Sequence, residues 1–331
     1  MSLVIKGKTL SLPALIPSIS SFETQIAPES AFDLQAALSE PITLVSAYDI
    51  HDNPNLIKKI AQFRIEGKIV LMDSGGYEAS RINRYSNDED RWKFENFKNC
   101  AASCETDLVA SFDYFKQDSQ SFSNYETDFI SFIQEHDFID KESLIPVIHL
   151  QDYIGTYTFS QAEALAICDR IVAEFSPAFI AIPERELGSG MAQKVRTVRA
   201  ITEQLAATGR ATKLHVLGCG NPLSFALLCA AGASMADGLE WCRTLVGADF
   251  KLHHFQQAEL FDEPSSKIYN PTVEVIRNTV SDYKTLTLTL TRNLYALQQF
   301  NTEVVNMLAG GHLADFIEDN FGLKAAQLIR G

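Results

Sequence analysis

No run of apolar side chains in this 331-residue chain is long enough to cross a membrane. Residues 1–8 carry no long hydrophobic stretch of the kind that directs secretion. Its six cysteines are scattered and form no paired framework. Cys100 and Cys104 stand one helical turn apart, but no second metal-spaced pair accompanies them. A disulfide scaffold is therefore not expected, and a reducing cytoplasm is the expected compartment. Cationic charge is also short: 28 Lys and Arg against 42 Asp and Glu leave a net charge of −14. That balance excludes a general nucleic-acid coating protein, whose affinity comes from clustered cations, but not an enzyme with one local basic face. Arg81, Arg84, Arg91, Lys93 and Lys98 are candidates for such a face. The acids between them make the stretch read first as a solvated, mixed-charge surface. No Gly-rich dinucleotide fingerprint follows the first strand, which weakens the case for an open doubly wound sheet.

The composition does supply a core, with 46% hydrophobic residues. Short apolar, β-branched runs recur at Leu12–Ser18, Ile42–Tyr48, Lys68–Asp73, Asp107–Asp113, Leu144–His149, Ala178–Pro183, Lys213–Gly218 and Ser234–Glu240. Amphipathic segments, such as 55–63 and 161–168, lie between them. Alternation of this kind predicts parallel strands, and eight units predict a (β/α)8 TIM barrel with its site at the strand C-termini. Asp73, Asp113, His149, Pro183-Glu184, Gly218-Cys219-Gly220 and Asp237 all fall at or just after such ends. The barrel, with a small hairpin around Lys6-Gly7-Lys8, is expected over residues 1–250. Residues 251–331 are expected to form a helical extension packed on it. Leu290, Leu294, Leu297, Val304 and Leu308 predict a helix from near Thr287, and a last helix is expected over His312–Asn320, ending at Gly322.

The most informative segment is Asp73-Ser74-Gly75-Gly76-Tyr77. A buried strand there delivers a carboxylate to a place where two glycines remove side-chain bulk and an aromatic ring follows. A planar ligand can lie on such a ring while the amides and the acid take its polar edge. Asp237 brings a second carboxylate to another strand end, and two acids suit chemistry at a glycosidic carbon. Plainer roles stand beside these. Asp73 also suits a helix cap, Asp237-Gly238 a turn, Tyr77 a core ring, and His149 a satisfied core histidine. Glu184 either contacts a ligand, pairs with Arg185 or faces solvent. His253-His254 reads as a solvated pair, because adjacent residues point in different directions.

These residues together give the chain its likeness: it resembles the tRNA-guanine transglycosylase superfamily. Asp73 to Tyr77 matches that family's DSGG-aromatic motif, and Ser111-Phe112-Asp113 is similar to its base-recognising element. Leu217 to Pro222 is similar to its G-x-G-x-P turn, Ala233 to Arg243 to the segment carrying its nucleophile, and Pro13 to Pro17 to its first strand. The resemblance implies that Asp237 attacks the anomeric carbon and that Asp73 handles the proton of the departing and entering bases. It implies a base pocket of Ser74, Gly75, Gly76, Tyr77, Asp113, Gly218 and Gly220, with Asp113 accepting from the purine N–H edge and Tyr77 stacking. His149 stands where the family commonly places a base-touching glutamine, and Arg243 is the expected phosphate contact. The implied reaction replaces guanine in a nucleic acid by a 7-deazaguanine derivative, without a cofactor. The implied partners are nucleic acid, the entering base, and a second copy of the chain or helper subunits. Asp73 is expected in a drier pocket near the base and Asp237 nearer the sugar.

Two departures from the family pattern shape this reading. The C-x-C-x-x-C run of the family's structural zinc site is missing, no cysteine follows Cys242, and Arg292-Asn293-Leu294 lacks the expected histidine. A four-ligand zinc site is therefore not expected. In the segment from Ala181 to Gly188, Pro183 and Glu184 replace a glycine pair, so Glu184 is expected at an exocyclic amine or ring N–H. The likeness is closer to the branch acting on DNA, the deoxypurine-in-DNA protein A group, than to the tRNA branch. The rival readings are a catalytically silent barrel that binds nucleic acid or a partner subunit, and a glycoside hydrolase using Asp73 and Asp237.

Overall fold

The computed structural model describes residues 1–76, 92–152, 155–254 and 285–330, with side chains from 288 onward in the last stretch. It opens with a hairpin of β1 (Ser2–Ile5) and β2 (Lys8–Ser11), turned at Lys6 and Gly7, both at positive φ. Two consecutive positive φ values match the strand twist that a two-residue hairpin needs. Eight parallel strands follow: β3 (Ala14–Ile19), β4 (Ile42–Ser46), β5 (Ile69–Asp73), β6 (Leu108–Ala110), β7 (Leu144–Ile145), β8 (Phe179–Pro183), β9 (Lys213–Leu217) and β10 (Met235–Gly238). Their spatial order is β7-β6-β5-β4-β3-β10-β9-β8. The two ends of that order meet through a parallel bridge between Val147 and Ala181, where Ile148 N donates to Ala181 O at 2.8 Å and Ala181 N to Pro146 O at 2.9 Å. The sheet is thus the (β/α)8 barrel that the alternation predicts.

Outside it lie α1 (Pro28–Ala37), α2 (Ala47–Asp52), α3 (Leu56–Ile65), α4 (Phe94–Ser103), α5 (Phe122–Gln134), α6 (Gln161–Phe175), α7 (Met191–Ala207), α8 (Pro222–Ala230) and the short α9 (Glu240–Arg243). Side chains of Ser46, Ser121, Ser160 and Asn221 cap the starts of α2, α5, α6 and α8. At α6, Ser160 Oγ accepts from Glu163 N at 3.3 Å while Glu163 takes Ser160 N at 2.8 Å, a reciprocal cap.

Alternate residues of a barrel strand face the lumen. Ala14 and Ile16, Ile42 and Leu44, Ile69 and Leu71, Ile145 and Val147, and Met235 belong to one buried cluster with Ile5, Leu10 and Leu12 of the hairpin region. Their neighbours Val45, Val70, Met72, Ile180, Val216 and Ala236 pack instead with the helices. One further step of two along the inward rows reaches Ser18, Ser46, Asp73, His149 and Asp237. On these strands the lumen is therefore apolar below and polar at its C-terminal rim.

The hairpin closes the opposite end. Lys8 Nζ donates to Lys68 O at 2.7 Å and to Asp107 Oδ1 at 2.8 Å. Asp107 is fully buried and also accepts from Arg64 Nε at 3.2 Å and Val70 N at 2.9 Å.

Beyond the barrel, β11 (Thr244–Val246) and β12 (Leu252–His254) form an antiparallel pair that sequence reading does not anticipate. Then come α10 (Thr285–Gly310), α11 (Leu313–Phe321) and α12 (Leu323–Arg330). The expected start near Thr287 lies inside α10, and Gly322 does not end the helical tail. It sits at φ +93° and redirects the chain into α12. Among the described residues no helix is long and apolar enough to cross a membrane. Buried Asn293 ties α10 to the barrel, donating to Trp241 O at 2.9 Å and Thr244 O at 2.7 Å and accepting from Val246 N at 2.9 Å. Phe300 packs against Phe250, Phe316 and Phe321 beside it.

Asp107→Ala leaves Lys8 and Arg64 without their buried counter-charge. It is expected to lower unfolding stability in urea by about 3 kcal/mol. Asp140→Ala, which removes the 77% exposed partner of Lys6, is expected to change it by less than about 1 kcal/mol.

Candidate active site

Asp237 lies on β10 between β3 and β9 and receives donors from both. Its Oδ2 accepts from Ser18 Oγ at 3.0 Å, and its Oδ1 from His215 Nε2 at 3.0 Å and Gly218 N at 3.2 Å. Only 7% of the residue is exposed. Ser18 is itself fixed from behind, because fully buried Trp241 donates its indole N–H to Ser18 O at 2.8 Å. Gly218 at φ +71° turns its amide toward the carboxylate, a conformation that favours glycine.

Gly220 lies close against Gly238 and Glu240. A Cβ there would stand 2.9 Å from the Gly238 Cα and 1.8 Å from Glu240 Oε2. The glycine pair lets the β9–α8 turn touch the end of β10, with Glu240 folded over the contact. Burial raises the Glu240 carboxyl above its ordinary range.

Asp73 ends β5 and takes Gly75 N on its Oδ2 at 3.3 Å. Ser74 Oγ donates to Asp113 Oδ2 at 3.0 Å and accepts from Gly76 N at 3.2 Å, while Trp92 Nε1 donates to Ser74 O at 2.8 Å. Both glycines are required by closeness. Gly75 sits at φ +85°, with Tyr48 Cβ 2.9 Å from where its own Cβ would be, and a Cβ on Gly76 would lie 1.8 Å from Asp113 Oδ2. Tyr77, like Arg81, Arg84 and Arg91, lies outside the described residues.

From Asp113 a hydrogen-bonded chain continues across the rim. Asp113 Oδ1 meets His149 Nε2 at 2.9 Å, His149 Nδ1 meets Glu186 Oε1 at 3.0 Å, and Glu186 Oε2 accepts from Leu150 N at 2.7 Å. Phe115 stacks on the imidazole with ring centroids 3.9 Å apart. Burial alone drives the His149 pKa down, but the hydrogen bonds to Asp113 and Glu186 outweigh it and raise the value to about 9. Both ring nitrogens are occupied by carboxylates. His149 therefore braces Asp113 and links it to Glu186.

Glu184 stands outside this hydrogen-bonded chain. It pairs with Lys194 Nζ at 2.6 Å, while Arg185 remains 74% exposed. Glu184 and Glu186 share a 3₁₀ turn of three residues, so two positions apart they point to different sides, and Glu186 is the one that enters the site. Arg243, at the end of α9, has a 45% exposed side chain, with Nε 3.6 Å from Glu23 Oε2.

Asp73 and Asp237 share the inward rim layer, with β4 and β3 between their strands. The expected order of burial is reversed: Asp237 is buried, whereas Asp73 is half-buried. Ser18, His215 and Glu186 escape sequence reading. Strand parity signals the first two, since Leu214 and Val216 face the helices and leave His215 inward. Nothing in the sequence marks Glu186 above Glu184. No protein-family model matches the chain, and no curated protein matches it.

His149 gives a testable pH dependence. Its folded-state pKa lies above the ordinary 6.5, so its contribution is complete below that pH and lost as pH rises through about 9. Glu40, raised by burial from 4.5 to about 8, loses stability over an overlapping range. In a Glu40→Gln background, the thermal midpoint is expected to fall between these His149 limits. Adding His149→Gln should flatten that fall.

Proposed function

We propose that the protein exchanges bases on a nucleic acid, releasing guanine and installing a 7-deazaguanine derivative through a covalent bond between Asp237 and the sugar. The observation that supports this most is the rim itself. It carries one carboxylate clamped by three donors, a second beside a glycine turn, and a third held between Ser74 and His149.

In this reading an Asp237 oxygen bonds to the anomeric carbon as the glycosidic C–N bond breaks, and the departing base takes a proton from Asp73. The entering base returns a proton to Asp73, and its nitrogen displaces Asp237 from the same carbon. Two displacements retain configuration and divide one hard step into two. Asp113, with both oxygens already accepting, is an acceptor-only edge suited to a base that presents N–H groups. Ser74 and the turn at Gly75 and Gly76 shape the floor beneath it. The resemblance favours DNA over tRNA as acceptor. A base in a duplex must be turned out into the pocket, at a cost of about a few kcal/mol.

The decisive measurement is trapping of a protein–nucleic acid adduct, together with incorporation of labelled 7-deazaguanine into DNA or tRNA. Asp237→Asn is expected to abolish both, and exchange at a normal rate in that variant would overturn the assignment. Absence of any adduct with the unaltered protein would favour the silent-binding reading. Asp73→Asn is expected to slow exchange by about 10²- to 10⁴-fold, the range for losing a general acid–base group.

Arg243 is the proposed phosphate contact on this otherwise acidic molecule. Arg243→Gln is expected to weaken nucleic-acid binding across sequences and to reduce the slope of log K against log salt by about one. A slope that does not change would remove Arg243 from the interface.

A further inference from the structure

The barrel wall has an opening away from the rim. β3 pairs with β10 from Ala14 to Pro17, but it meets β4 only at Ser18–Leu44 and Ile19–Val45. Leu15 N, which would otherwise seek a strand, donates to Asn301 Oδ1 on α10 at 3.1 Å. Helix α10 lies over the opening, and a cavity of about 570 Å³ remains beneath it. Leu10, Leu15, Ile16, Leu294 and Leu297 supply apolar wall.

Glu40 is part of the same wall and is 4% exposed. Among the described residues no hydrogen bond or ion pair reaches its carboxyl group. Lys68 influences it only through space, because Lys68 Nζ is held by Ala36 O at 2.9 Å and Glu66 Oε2 at 2.7 Å. The neighbouring Gln298 donates its amide N–H to Leu38 O at 3.1 Å and keeps its oxygen as an acceptor. A buried carboxyl without a partner is unfavourable, and burial raises this one to about 8.

We propose that this cavity binds a small organic cation, an alkylammonium or amidinium on an apolar body, with Glu40 as its counter-charge. An anion would face the carboxylate and an unpaired desolvation cost. A bare divalent cation would leave the leucines of the wall uncovered. A cation with an N–H donor head satisfies Glu40 and Gln298 Oε1 together, while its body covers the leucines. The cavity wall also takes in Gly220, Gly238 and Glu240 next to the rim, but Glu40 is none of the groups that the proposed reaction uses.

Hexylamine and benzamidine serve as probes, with hexanol and hexanoate for comparison, by calorimetry and thermal unfolding of the full chain. Both cations are expected to raise the melting temperature and to bind at least about tenfold more tightly than hexanol. Glu40→Gln, close in shape and with folding checked by its own transition, is expected to remove that advantage. Thr302→Trp, on the exposed side of α10 at the cavity wall, is expected to block binding without touching Glu40. Three outcomes overturn the proposal: no binding of either cation, equal binding by Glu40→Gln, or hexanol binding as tightly as hexylamine.

Discussion

A closed barrel gives every strand a single inward row, and the content of that row decides where polar chemistry can occur. On five strands the row is apolar first and polar at the rim, while β9 sets His215 one layer deeper, beside Met235. Ile69 and Leu71 lead to Asp73, Ile145 and Val147 to His149, and Met235 to Asp237. The hairpin seals the other end with Ile5 and Leu10, and its Lys8 reaches buried Asp107. Carboxylates in the middle of that lumen would be desolvated without partners. At the rim they meet hydroxyls, imidazoles and exposed amides, so the cost of burial is offset where the site forms.

The two sides of the rim are organised by different physics. Around Asp237 the donors are a serine, a histidine and a backbone amide from the adjoining strands and turn, and the carboxylate cannot turn without breaking all three. Around Asp113 the arrangement is an alternation of charge, with a histidine raised to about 9 between two carboxylates. Such a chain is stabilised only while every member is present, because each buried charge is compensated by its neighbours. The glycines serve the same end. Gly76 admits Asp113, and Gly220 with Gly238 admits Glu240, each at distances that a methyl group would forbid.

The tail is docked on the barrel by a few specific contacts. In the fold, Asn293 satisfies three backbone groups of the barrel, and the phenylalanines around Phe300 bury the rest of the contact. One amide and a ring cluster dock the helix.

Strand count, strand polarity and the rim positions of Asp73, Asp113, His149 and Asp237 were legible in the sequence, because apolar runs and their ends are local properties. Parity within a run even marks His215 as inward. The pairing of Glu186 with His149, the contact of both His149 nitrogens with carboxylates and the close approach of Gly220 to Gly238 were not legible. Each depends on which residues of distant strands face each other, and that is settled only when the sheet closes. The order of burial of the two acids belongs with them: Asp237 is enclosed by its neighbours on β3 and β9, and no run of residues around it records how closely those strands approach.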